Sequence, residues 1–223
     1  MATLSLKNVV EFQNKLLGWF KTKRRKFPWR KKGLTNYQLI IAEILLQRTK
    51  AETVAKYYEG FIRDFPNWQA LVRTDVSQIE NALRPLGLYK QRAARLSRLA
   101  LEMVHRNGKI PASREELEQM PFMGQYIVNA SLLLIHGQRV PLIDVNMARV
   151  FERYYKEREM SDIRYDPYLQ KLAFRYADHP WSKELNWAIL DFAALVCRAR
   201  DPRCEECMLC DKCRYFLKTR ELK

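Results

Sequence analysis

The sequence predicts an all-α chain, and three observations carry that expectation. Apolar residues recur at helical spacing, as in Val54, Tyr57, Tyr58, Phe61, Ile62 and Phe65. Only 7 Gly and 9 Pro occur in 223 residues, and they fall between the apolar runs. The hydrophobic content of 48% supplies a core for one large domain or two interlocked lobes.

The elements follow in order. Residues 1–12 have neither the apolar run nor the small-residue cleavage site of a signal peptide. No stretch approaches the roughly 18 to 20 apolar residues that span a bilayer, so an intracellular protein of cytoplasm or nucleoid is expected, with no membrane partner. The basic run Lys21 to Lys32 is interspersed with aromatics and reads as ordered chain broken by Phe27-Pro28-Trp29. An apolar helix follows, with Leu39, Ile40, Ile41, Ile44, Leu45 and Leu46 around a single carboxylate, Glu43. Burial there raises a carboxyl pKa and makes Glu43 a candidate proton donor. Phe65-Pro66 ends the next helix, Pro85-Leu86-Gly87 separates two more, and Gly108 to Pro111 opens a turn. Ser113 caps a helix expected to run to about Gln119, with Glu116 completing a capping box.

A tight turn, Met120-Pro121-Phe122-Met123-Gly124, joins that helix to the apolar run 125–133. The pair reads as an ordinary αα-hairpin or as a helix-hairpin-helix, in which backbone N–H groups of Phe122, Met123, Gly124 and Gln125 meet a DNA phosphate. Asp144, before the helical run Met147 to Tyr155, is a good N-cap and equally a candidate catalytic carboxylate. Nothing reads as a free linker or repeat, so a second domain must come from the two chain ends packing together.

Forty Lys plus Arg against 25 Asp plus Glu give a formal charge of +15, which favours a polyanionic partner over merely solvated basic faces. All 5 Cys, at 197, 204, 207, 210 and 213, fall after the helix expected over 186–196. Disulfides would be spread through a small secreted domain, so this clustering indicates a metal. Cys197-x6-Cys204-x2-Cys207-x5-Cys213 suits tetrahedral zinc or a [4Fe-4S] cluster, and Cys210 leaves the fourth ligand open. Arg198, Arg200 and Arg203 in the same loop form a basic fingertip for phosphates. His105, His136 and His179 are too scattered for a metal site, and Trp19, Trp68, Trp181 and Trp187 read as core. Trp29, flanked by basic residues, is the candidate for base stacking.

Taken in order, Phe27-Pro28-Trp29-Arg30, the run 42–49 (AEILLQRT), the hairpin, Asp144 and the Cys loop resemble the endonuclease III-like helix-hairpin-helix/GPD DNA glycosylases. Within them the sequence looks like the branch of MutY-type adenine glycosylases and archaeal thymine/uracil-G mismatch glycosylases. The resemblance covers essentially the whole chain. It implies a two-lobed fold: a six-helix barrel over 31–135, a cluster domain from 1–30 and 136–223, and a base pocket in the cleft. It also implies a [4Fe-4S] cluster on Cys197, Cys204, Cys207 and Cys213, and a monomer acting on mismatched or damaged double-stranded DNA.

The residue roles that it implies are equally definite. Asp144 would stabilise positive charge on the sugar or position a water, and Glu43 would donate a proton. Tyr126 stands where bifunctional relatives have the Schiff-base Lys, so the enzyme would be monofunctional, without lyase activity. Gln47 and Leu88 would fill the gap left by a flipped nucleotide. Phe122 and Met123 replace the Gly and Val of the usual Leu-Pro-Gly-Val-Gly turn, and Phe122 is expected to force a different backbone. Thymine or uracil opposite guanine is favoured as substrate by the length, by Arg48 and by the stretch 87–93. Adenine opposite 8-oxoguanine or guanine, suggested by Gln47 and Glu52-Thr53-Val54, is the alternative. A non-catalytic mismatch-binding protein is a third reading.

Overall fold

A computed structural model describes residues 5–221, and the described residues form helices joined by turns, with no strand among them. They divide into two compact units: a discontinuous one up to Arg25 and from Gly137 onward, and a continuous one, Lys26–His136. The first boundary thus lies at 25/26 where the sequence suggested 30/31. Trp29 explains the difference. It is 4% exposed, stacks on Phe27 at 4.7 Å and meets Tyr58 edge-on at 5.6 Å, which ties 27–30 to the continuous unit. Trp29 is therefore a core anchor and not a base-stacking platform.

Helix α1 (Leu6–Lys23) opens the discontinuous unit, with the Ser5 hydroxyl accepting the Asn8 N–H at 3.3 Å. Val9, Phe12, Leu16 and Phe20 recur every three or four residues and are all buried, giving one apolar face.

The continuous unit is arranged around α2 (Asn36–Leu46), begun by a Thr35–Gln38 capping box. Every residue from Ile40 to Leu45 is buried, as expected of a helix apolar on all sides. Helices α3 (Ala51–Asp64), α4 (Trp68–Arg73), α5 (Val76–Leu83), α6 (Tyr89–His105), α7 (Arg114–Gln119) and α8 (Gln125–Leu134) complete the unit. Its seven helices include two of only six residues, α4 and α7. The stripe on α3 is narrower than the sequence suggested: Val54, Tyr58 and Phe61 are buried, while Tyr57 is exposed. Ser113 caps α7 through the Glu116 N–H at 3.3 Å. Its hydroxyl goes to Glu115 at 2.7 Å, and the Glu116 carboxylate lies 3.6 Å from Arg106, so the reciprocal arm of the expected capping box is replaced.

Back in the discontinuous unit, α11 (Ser182–Leu195) packs on α1 and on α9 (Val145–Tyr154) and α10 (Pro167–Ala177), and α12 (Arg214–Glu221) packs on α9. Phe12 meets Tyr176 at 4.7 Å and Tyr154 at 5.0 Å, both edge-on, so the N-terminal helix plugs a core built from the C-terminal half. Arg25 closes this unit by donating its Nε at 2.8 Å and its backbone N–H at 2.9 Å to the fully buried Asp191. Trp181, read as core, is 62% exposed at the start of α11. No helix among the described residues is long and apolar enough to cross a membrane.

Candidate active site and cysteine centre

In the continuous unit, Glu43 faces inward from the middle of α2 and is 3% exposed. Tyr126, second residue of α8, donates its hydroxyl to Glu43 Oε2 at 3.0 Å. Burial first, and then the charges of Glu59 and Glu43, push the Tyr58 phenol up to about 12, and its hydroxyl donates to the Gln38 carbonyl at 2.9 Å. A carboxyl and a phenol in contact can hold and pass a proton. Neither is an amine able to form an imine with a sugar.

The α7–α8 turn keeps the hairpin geometry despite its side chains. Met123 N–H reaches the Met120 carbonyl at 3.3 Å, and Gly124 N–H the Phe122 carbonyl at 3.1 Å. Phe122 takes φ 68°, a left-handed conformation that glycine adopts readily and a residue with a Cβ rarely does. The Arg95 guanidinium lies 5.8 Å from the centre of the Phe122 ring, a cation–π contact that offsets part of the strain. Gly124 is the N-cap of α8 and Gln125 its first residue, where a helix directs backbone N–H groups outward. Arg48 and Leu88 also have positive φ, 56° and 52°, and both are exposed. Three sequence-predicted DNA contacts thus occupy strained turns, a pattern typical of functional segments.

In the discontinuous unit, Asp144 caps α9. Its Oδ1 accepts the Asn146 N–H at 2.9 Å and the Met147 N–H at 2.8 Å, and its Oδ2 accepts Asn146 Nδ2 at 2.6 Å. The N-cap reading of Asp144 is what these bonds show, and they fix the orientation of its carboxyl. Burial raises its pKa above the ordinary value, and the bonds from Met147 and Asn146 and the Arg149 charge only partly oppose that shift. Asn186 on α11 splints the preceding loop, accepting the Leu142 N–H at 2.7 Å and donating to the Val140 carbonyl at 3.2 Å. Beyond Asp144, Asn146 Oδ1 accepts from Arg149 at 3.1 Å, and Arg149 donates to the carbonyls of Cys197 and Ala193, each at 2.9 Å.

All five cysteines line one cavity of about 290 Å³, its open mouth included. Successive turns bring them there: Cys207 N–H bonds to Cys204 O at 3.2 Å, Cys210 to Cys207 at 3.1 Å and Cys213 to Cys210 at 3.0 Å. Burial, and after it the neighbouring thiolates, push the Cys207 thiol up to about 12 and raise Cys204 and Cys213. A bound cation would reverse that penalty; among the described residues no three ligating side chains converge as on a single metal ion, so the thiol lining suits a larger thiolate-held cluster better than a lone ion. The surroundings fit as well. Arg153 approaches Cys197 Sγ at 3.6 Å and donates to the Arg198 and Ala199 carbonyls at 2.6 and 3.0 Å, while Leu209 N–H approaches Cys207 Sγ at 3.4 Å. The basic fingertip is less uniform than expected. Arg198 folds back on the Asp201 carbonyl at 3.0 Å and Arg203 lies 3.7 Å from Glu206, whereas Arg200 and Arg203 are solvent-exposed.

A hairpin with a left-handed turn, an Asp-capped helix after it and a thiol-lined loop define a helix-hairpin-helix DNA-repair protein. Residues 41–172 match the HhH-GPD superfamily of base excision DNA repair proteins, and the chain belongs to that family. It is 34% identical to a thymine-DNA glycosylase of Aeropyrum pernix over 97% of this chain and 99% of that one. It is also 34% identical to a thymine/uracil-DNA glycosylase of Pyrobaculum aerophilum, over 95% and 94%. An adenine DNA glycosylase of Mycobacterium tuberculosis is 30% identical over 87% of this chain but only 64% of its own length. The solved structure of a thermostable thymine-DNA glycosylase superposes with a TM-score of 0.87 at 30% identity, covering 95% of this chain and 98% of that one.

Sequence reasoning missed Asn146, Arg149, Arg153 and Asn186. Arg149 and Arg153 stand four apart on α9 and share a helix face, a spacing that could have marked them as a pair. Asn186 gave no signal, because its partners lie more than 40 residues away.

Proposed function

We propose that the chain is a monofunctional DNA glycosylase that hydrolyses the N-glycosidic bond of thymine or uracil mispaired with guanine in double-stranded DNA. The observation that carries the reading is the Tyr126 hydroxyl on buried Glu43 at 3.0 Å, a proton-handling pair at the position where a lyase needs an amine. The bond from the sugar carbon to the pyrimidine nitrogen breaks, its electron pair leaves with the base, and water adds to the sugar carbon to give an abasic site. Asp144, its carboxyl oriented by Asn146 and Met147, stabilises the cationic sugar or accepts the proton of the attacking water when ionised. Glu43 carries the proton for the leaving base, and Tyr126 positions it.

Identity of 34% to relatives named for thymine and for thymine/uracil, against 30% to one named for adenine, supports the substrate. The fixed Asp144 carboxylate disfavours a purely binding role. In this reading the Phe122–Gln125 turn lies against a phosphate at the N-terminus of α8, while the Met123 and Gly124 N–H groups stay bonded to the Met120 and Phe122 carbonyls, Arg48, Arg198, Arg200 and Arg203 contact the DNA strands, and the protein acts inside the cell as a monomer. Cys197, Cys204, Cys207 and Cys213 hold a [4Fe-4S] cluster, which when bound fastens the C-terminal loop without joining the hydrolysis. The test is base release from duplexes carrying one defined mispair, with and without alkali. Release of thymine and uracil opposite guanine, with strand breaks only after alkali, is expected. Strand breaks without alkali, or release of adenine alone, contradict the reading.

A further inference from the structure

We propose that Arg92 is a positioning residue that locks the two turns bearing Gln47 and Leu88 into one geometry for opening the duplex, a role that rests on the glycosylase reading above. Arg92 lies in the first turn of α6 and is 5% exposed. Its side chain crosses to the end of α2, where Nη1 donates to the Leu45 carbonyl at 3.2 Å and Nη2 donates to the Gln47 carbonyl and to Thr49 Oγ1, the latter at 2.8 Å. Its backbone N–H donates to the Leu88 carbonyl at 3.0 Å. The side chain therefore anchors the turn after α2 onto the first turn of α6, whose N-cap is Leu88, while the main-chain bond is the ordinary first bond of that helix. Thr49 adds a cross-tie, because its hydroxyl lies 3.1 Å from the Leu86 carbonyl.

Both turns need such a lock. Arg48 and Leu88 sit at φ 56° and 52°, and left-handed conformations persist in residues with a Cβ only where the surroundings over-determine them. Leu88 is an apolar side chain 51% exposed beside the buried Leu86, a wedge on a fixed base. The side-chain partners of Arg92 are two carbonyls and a hydroxyl, none of them charged. Its positive charge lies at the negative end of α2, the helix that also carries Glu43. Burial of a guanidinium without a carboxylate partner is a costly way to stabilise a fold. It is an effective way to fix a turn, since a planar fork sets the position of several acceptors at once.

The test compares wild type with Arg92→Met, Arg92→Lys and Thr49→Val on two duplexes, one with uracil opposite guanine and one with uracil facing an abasic site, where no pair must be broken. Single-turnover release is measured together with the fluorescence of 2-aminopurine beside the lesion, which reports unstacking. Arg92→Met is expected to slow release from the paired duplex about tenfold or more, as misplacement by an ångström can, with a much smaller loss on the unpaired one. Thr49→Val should shift the same ratio less, and Arg92→Lys should restore part of it. Equal losses on both duplexes, or none, overturn the proposal; so does Thr49→Val leaving the ratio unchanged if Arg92→Met proves unfolded. A wild type that releases no base from either duplex overturns the glycosylase reading instead. The fluorescence then decides for Arg92, by whether wild type unstacks the mispair and the variants do not.

Discussion

Two demands meet at Asp144. As a cap it would serve in either protonation state, but to stabilise a cationic sugar it must be ionised, and burial raises its pKa. The rate of base release should therefore fall as pH drops through a midpoint above the ordinary Asp value, and level off above it. The sign for stability is the reverse: a raised carboxyl pKa favours folding of the protonated form, and that contribution is lost as pH rises through the folded-state value. Asp144→Asn removes the charge and keeps a capping side chain, so it should abolish release while Tm at neutral pH stays equal or rises. A lowered Tm with release intact would show that the residue is only a cap. At Tyr126 the missing function is an amine. Tyr126→Lys places one beside Glu43, and borohydride should then trap a covalent DNA adduct that wild type does not form. No adduct with a folded, DNA-binding variant would remove Tyr126 from the reacting centre.

Among the elements, the hairpin shows how far local sequence reaches. Ser113, the Met120–Gly124 turn and the apolar run after it were legible as two helices and a tight joint, because caps and breakers act over three or four residues. The Phe122 conformation was not, since tertiary contacts supply what a glycine would supply by itself. Phe122→Gly should relieve the left-handed strain and lose the Arg95 contact, terms of about 1 kcal/mol each and opposite in sign. Denaturant unfolding should thus change little and mismatch affinity should persist, as a backbone phosphate contact requires. A large loss of affinity would instead assign the contact to the ring. The loop before Asp144 was readable as a loop, but not its splint. Asn186→Ala leaves the buried Leu142 N–H and Val140 carbonyl unpaired, which should cost about 1–3 kcal/mol and slow release more than it weakens binding.

Over the whole molecule, the sequence already divided the chain into a middle and two ends, and marked the thiol-rich loop, because Cys spacing and the lack of a linker are global features. What it could not supply is where α1 docks, since Phe12 finds Tyr154 and Tyr176 across more than 140 residues. Nor could it show that Trp29 is core and Trp181 exposed, because flanking charge does not fix burial. The thiol-lined cavity predicts that the isolated protein carries iron and sulfide, and that Cys207→Ser loses both together with Tm and DNA affinity. A full complement of zinc in place of iron would contradict the cluster reading. With a formal charge of +15, DNA affinity should fall with salt, log K changing by about −0.9 per neutralised phosphate against log salt. The most direct test of the central claim is single-turnover base release on matched duplexes carrying T·G, U·G, A·8-oxoguanine, A·G and normal pairs. The proposed reading predicts release confined to T·G and U·G, with strand breaks only after alkali. Release of adenine alone, or binding without release from any duplex, would contradict it.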